Sequence, residues 1–195
     1  MEKIVFKLWR RESESLEKFK QSLLVDLPET LESLVSDLQV NIADEDVDAA
    51  AALAQTNYSK NPDAIVFIKV VSQYYSENII SILKHLTSKV EGFIVSESII
   101  LQDDSKDHQG KRSDGFSQVV FLEKPLDMSD FDWFDHWTHH HTKIAIETQS
   151  KQACARAHVC ARSRSSRAGA HGMHGARGNG GMSVCARAHA MRGRG

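Results

Sequence analysis

Residues 1 to 150 of this 195-residue chain contain no cysteine, and only three glycines and three prolines. All three cysteines, Cys154, Cys160 and Cys185, lie beyond them. The body therefore has no disulfide framework, no thiolate metal site and no cysteine nucleophile. With only Gly92, Gly110 and Gly115 it has no glycine loop to cradle phosphates. No GxSxG elbow occurs either, which disfavours covalent hydrolysis of that type. No apolar run approaches the roughly 18 residues needed to cross a bilayer. The start, MEKIVFKLWRRESES, gives a short apolar-rich strand followed by charge, which is not the pattern of a signal peptide. The expectation is a soluble, cytoplasmic protein.

Acid-free sequence is the mark of the last 45 or so residues. From Lys151 on there are nine basic residues and no Asp or Glu, so the body carries 15 basic against 26 acidic residues. An acidic body argues against nucleic acid or an anionic membrane as partner. Eight of the 11 glycines also fall after Ser150, where the only large apolar residues are valine and methionine. Such a segment buries too little apolar surface to offset the entropy of ordering it, so residues 151–195 are expected to be a disordered tail. Cys-Ala-Arg-Ala-His occurs twice there, at 154–158 and 185–189. The runs 154–162 and 184–190 alternate residues whose codons can read pyrimidine-purine-pyrimidine and purine-pyrimidine-purine. Translated repeat DNA would give that alternation. A Cys/His metal tract is the alternative, but Cys154-x3-His158-x-Cys160 fits no compact zinc spacing.

The body reads as an α+β protein. Ile4, Phe6 and Leu8 alternate with polar or basic neighbours, as in a strand. Ser13 or Ser15 can cap a helix whose face is Leu16, Phe19, Leu23, Leu24, Leu27, Leu31 and Leu34, with Pro28 breaking or kinking it near its middle. Leu38, Val40 and Ile42 form a second strand, and 49–54 a short helix or ordered loop. Residues 64–71 are the most strand-like run, Tyr75 to Leu86 give a helical stripe, and 92–101 another strand. The resulting order β-α-β-β-α-β is a ferredoxin-like unit, with both helices on one face of an antiparallel sheet. Its other face usually packs on a second sheet.

The chain thus divides into a first unit (1–102), a polar linker (103–114), the first strand and helix of a second unit (115–150) and the tail (151–195). Setting Ser15–Ser33 over Asp130–Thr148 aligns Phe19 with Phe134, Ser22 with Trp137 and Asp26 with His141. In the second helix, Trp133-x3-Trp137-x3-His141 followed by Ile144-x-Ile146-Glu147 resembles the EthD family pattern of an aromatic, a Trp four on and a His four further on. The first helix matches it more faintly, through Phe19, Asp26 and Pro28, and lacks both Trp and His. Lys143 stands where the pattern often has Pro.

The resemblance implies a dimeric α/β-barrel, with paired sheets around a cavity. It also implies oxidative breakdown or tailoring of a small, largely apolar organic molecule, without a bound organic cofactor. His141 is the candidate catalytic acid–base group, since imidazole titrates near neutrality. Trp133 and Trp137 are the candidate ligand-binding residues, on the same helix face at i and i+4. The plainer alternative makes all three a packing seam. His136 and His140, with Asp132, have the spacing of a divalent-metal site, but a solvated histidine face is preferred and no metal is assigned. Asp44, Glu45 and Asp46 read as a solvated loop. A non-catalytic ligand-binding or assembly protein, self-associating through its sheet face, and a truncated non-functional product are the alternative functions.

Overall fold

Strand β1 (Glu2–Trp9) lies inside a four-stranded antiparallel sheet of order β2-β3-β1-β4, with β2 at Asp37–Ile42, β3 at Ala64–Val70 and β4 at Lys89–Ser96. The computed structural model describes residues 1–53, 59–97, 110–112, 117–122, 124–141, 160–161 and 182–192; the last two segments and residues 49, 51–53, 111 and 141 are described as backbone only. The pairing registers are Phe6 with Val66 and Gly92, and Val40 with Val66. Because side chains alternate across a sheet, Ile4, Phe6 and Leu8 share one face, and Lys3, Val5 and Lys7 the other.

The first face carries the main core. Helix α1 (Leu16–Gln21), a π-helical turn (Ser22–Asp26) and helix α2 (Leu27–Leu31) follow one another without a gap. Ser15 caps the start, its Oγ accepting from the Lys18 backbone N–H at 3.2 Å. Phe19, Leu23, Leu27 and Leu31 are all fully buried, packing with Ile4, Phe6 and Leu8, and each such side chain contributes about 1.5–3 kcal/mol. Pro28 does not end the helix. It falls in the first turn of α2, and the wide turn just before it, closed by the Leu27 N–H on the Ser22 carbonyl, absorbs the clash a proline ring makes with the residue four back. Helix α3 (Ser76–Leu86) adds Ile79 and Leu83 to the same core. A 3-10 helix at Glu45–Leu53 stands where sequence leaves a choice between helix and loop.

Strand β4 begins at Lys89, three residues before the expected start, and residues 98–101 lie outside the described residues. In the linker, Lys111–Arg112 forms the short strand β5. Strand β6 (Ser117–Phe121) places Val119 and Phe121 on the second face of the sheet, in a smaller core with Val5, Ile65, Phe67 and Val95. Helix α4 (Asp130–Asp135) then runs into a second π turn (His136–His141), and 142–150 lie outside the described residues.

Of the tail, two backbone segments run beside the sheet. Strand β7 (Cys160–Ala161) pairs with β4, and β8 (Met182–Arg192) pairs with β2, β5 and β6. A sheet edge offers unpaired N–H and C=O groups to any extended segment, and 182–192 contain neither glycine nor proline to interrupt pairing. Among the described residues no helix is long and apolar enough to cross a membrane.

Candidate functional site

The second helix repeats the local construction of the first. Ser129 caps α4 as Ser15 caps α1, its Oγ accepting from the backbone N–H three residues on, at Asp132, at 3.0 Å. Six α-helical residues follow in both cases, and a π turn starts at the next residue. Aligned on their caps, Phe19 corresponds to Trp133, Leu23 to Trp137 and Leu27 to His141. That register is one residue away from the alignment drawn on sequence. The difference matters, because Phe19, Leu23 and Leu27 are the sheet-facing positions of the first helix.

Trp133 and Trp137 do come together. Their rings meet edge to face, with centroids 5.6 Å apart and planes at 71°, an arrangement aromatic pairs favour. Both are half-buried. The backbone of His141 closes the π turn, and its side chain lies outside the described residues. The first helix winds through the same kind of π turn and still buries Phe19, Leu23 and Leu27 in one core, so the turn by itself does not separate 133, 137 and 141. On the other side, His136 and His140 stack with centroids 5.8 Å apart, and His139 Nδ1 sits 2.9 Å from Asp135. Asp132 accepts from the Ser129 hydroxyl at 2.6 Å, so it belongs to the cap. Among the described residues no group of three or more His, Cys, Asp or Glu side chains is placed to hold a metal.

A second constellation, which sequence reasoning missed, lies on the second face of the sheet. Lys7 is only 3% exposed. Its ammonium lies 3.8 Å from the ring centre of Phe121 on β6 and 4.7 Å from that of Phe93 on β4. Glu91, paired opposite it in the sheet, comes within 3.9 Å. The rings and the carboxylate compensate the charge for leaving water. Two strands away in the same row lies Asn41, wholly buried. Its Oδ1 accepts from Gln39 Nε2 at 3.1 Å, while its Nδ2 has no hydrogen-bond partner among the described residues. A signal was present in the sequence: Val5 and Trp9 share the face of Lys3 and Lys7, so that face was never purely polar.

Charge elsewhere on the sheet is organised into pairs. Glu97 receives hydrogen bonds from Lys3 and from Lys69, the latter at 3.0 Å. Partial burial pushes its carboxyl up, but those two lysines outweigh burial and hold its pKa below the ordinary value. Asp44 corrects the solvated-loop reading: it is buried, and Arg112 Nη2 donates to both its oxygens at 2.8 Å while Arg112 Nη1 reaches Asp46 at 2.7 Å. The Lys20 pKa is raised chiefly by its hydrogen bond to Glu17, against an opposing effect of burial. These pairs tie strand β5 and helix α1 to the 45–53 segment rather than forming a reactive centre. No family model, curated protein or solved structure matches this chain.

Proposed function

We propose that the chain is an EthD-like protein of ferredoxin-like units that binds a small, largely apolar organic molecule on the second face of its sheet. The fold half of this reading is supported by the β-α-β-β-α-β order of residues 2–96, the strand order β2-β3-β1-β4 and the helices packed on one face. The observation that carries the binding half is the second apolar layer. Val5, Ile65 and Phe67 form an apolar floor opposite the helices, and Val119 and Phe121 of β6 close over it. A sheet of this size needs one apolar face for its helices, and a second calls for a partner layer or a ligand. Trp133 and Trp137 fit better as the packing face of the second helix than as walls of this site, since they hold the positions of Phe19 and Leu23. The proposal is one of binding and attaches no reaction to His141.

Calorimetric titration of the full chain with 2-naphthalenemethanol tests it. The expected result is saturable binding with a Kd on the order of 10 to 100 µM and a negative heat-capacity change. Absence of saturable heat up to the solubility limit would overturn the reading. A second reading, assembly, is favoured by one observation: Phe131 and Phe134 of α4 are 78% and 57% exposed. Sedimentation equilibrium decides it, since assembly requires a mass above that of one chain which Phe131→Ser and Phe134→Ser reduce.

A further inference from the structure

We propose that the outer edge of strand β4 is a contact between two copies of this chain, which pair antiparallel about Val90 so that Lys89 of each lies opposite Glu91 of the other. Strand β4 closes the order β2-β3-β1-β4. Its inner side pairs with β1 without a break, from Lys3 with Val95 to Trp9 with Lys89. Its outer side meets β7 at Val95 and Ser96 and, among the described residues, no strand over Lys89 to Ile94. At the opposite edge β2 is paired with β8 along its whole length, from Asp37 to Ile42.

An open edge offers its N–H and C=O groups to any extended chain, and proteins blunt such edges with proline, a bulge or charge. Strand β4 has no proline, and its unbroken register with β1 leaves no bulge. Charges of one sign would repel a second copy, but those of β4 are of both signs. Lys89 and Glu91 lie two residues apart on one face, and their side chains meet at 2.7 Å. Two strands related by a two-fold axis run antiparallel, and each residue meets the one equally far beyond the axis. With the axis at Val90, Lys89 meets Glu91 twice, Val90 meets Val90 and Ser88 meets Gly92.

Neither charge gives up its partners within the chain in this arrangement. Lys89 stays over the Trp9 ring, and each ammonium comes to lie between two carboxylates. Opposite charges directly across a strand pair stabilise it, and like charges destabilise it. The neighbouring choices are poorer. An axis at Glu91 sets Glu91 against Glu91, and an axis at Gly92 brings Lys89 opposite Val95, whose outer side pairs with Ala161. Ile94 agrees with the axis at Val90. It is 47% exposed, on the face that carries helix α3. Its counterpart in the second copy is Leu86, the last residue of α3, so the end of that helix stands over Ile94 and covers it. The contact is short, residues 88–92 of each copy, and makes a weak dimer.

Sedimentation equilibrium on the full chain tests it. The mass is expected to rise with concentration from one chain toward two, with a Kd on the order of 100 µM. Lys89→Glu is expected to weaken the dimer by about tenfold or more and Lys89→Gln by about threefold, with circular dichroism showing both folded. Oxidative cross-linking, in a chain carrying Cys154→Ser, Cys160→Ser and Cys185→Ser, reads the register. Val90→Cys should join two chains, since opposite positions stand about 5 Å apart. Ile94→Cys should not, its two copies lying about 27 Å apart along the strands. Phe131→Ser with Phe134→Ser should leave this dimer within about twofold. A chain that stays monomeric to about 500 µM would overturn the proposal and leave the edge to an extended segment of a different protein. So would a folded Lys89→Glu chain that associates as the wild type does, or Ile94→Cys cross-linking as readily as Val90→Cys. Association that Phe131→Ser and Phe134→Ser abolish, and Lys89→Glu leaves alone, belongs to α4 and overturns it as well.

Discussion

Gly92 sits directly opposite Phe6 in the pairing of β1 with β4, and the phenyl ring lies over it. A Cβ built on Gly92 would stand 2.8 Å from Phe6 Cε1 and 3.1 Å from Cδ1, against about 3.5–4.0 Å for carbons in comfortable contact. Phe6 is fully buried in the core that also holds Phe19, Leu23 and Ile79, so its ring cannot swing out into solvent. In Gly92→Ala either the ring leaves its rotamer or β4 slides outward. Overpacking of this kind costs about 1–3 kcal/mol. Replacing a strand glycine returns up to about 1 kcal/mol by restricting the unfolded chain. The net expectation is a loss of about 1–2 kcal/mol, or a Tm lower by roughly 5–10 °C for a unit of this size. Urea unfolding followed by circular dichroism measures it. Phe6→Leu removes the offending ring edge, so the double variant should be more stable than the sum of the single changes by at least about 0.5 kcal/mol. A neutral or stabilising Gly92→Ala, or strict additivity with Phe6→Leu, would refute the account.

Two further outcomes follow from the geometry. The lysines hold the Glu97 pKa below its ordinary value of 4.5, so this carboxylate contributes stability above that value and loses it as pH falls through the lower folded-state pKa. Because the side chain is partly exposed, Glu97→Gln should cost under about 1 kcal/mol at pH 7, and its Tm should converge on that of the wild-type chain in acid; a constant gap down to pH ~3 would count against the pairing. Phe19→Ala should destabilise by about 3–5 kcal/mol. Trp133→Ala should cost under about 1 kcal/mol despite its larger side chain, because it is only half-buried in a short helix; equal losses in denaturant titrations would show that α4 packs as α1 does.

The elements of the first unit were legible because their patterns are strong. Ile4, Phe6 and Leu8 alternate, and Phe19, Leu23, Leu27 and Leu31 recur every four residues, so strand and helix follow from periodicity alone. Pro28 marked the irregularity in the middle of the helix, but sequence shows only the missing donor and not the wide turn that accommodates it. The start of β4 was placed late because Lys89 and Glu91 look like loop residues, whereas Lys89 lies over the Trp9 ring at 4.2 Å and Glu91 pairs with it at 2.7 Å. The site was least legible. A lysine alternating with apolar residues signals a solvated face, and only the arrival of β6 from over a hundred residues away turns Lys7 into a buried one. Asp44 escaped for the same reason, its partner Arg112 being remote in sequence.

The two faces of β1 also say how a second unit would have to sit. In β1 the residues Ile4, Phe6 and Leu8 meet helices, while Val5 and Lys7 meet β6. In β6 the buried residues are Ser117, Val119 and Phe121, and these turn toward the first unit's sheet; Gln118 is exposed and Val120 half-buried on the opposite side. If β6 stands to α4 as β1 stands to α1, the side of Val120 is the one owed to Trp133 and Trp137. The side of Val119 and Phe121 then corresponds to that of Val5 and Lys7. On that condition the faces in contact are the two that meet no helix, and Lys7 lies between β1 and β6. A charge at such a seam is a poor choice for packing two sheets together, since apolar residues would do it at lower desolvation cost. Lys7 is kept there by the Phe93 and Phe121 rings and the Glu91 carboxylate, which offset the cost of taking its ammonium out of water.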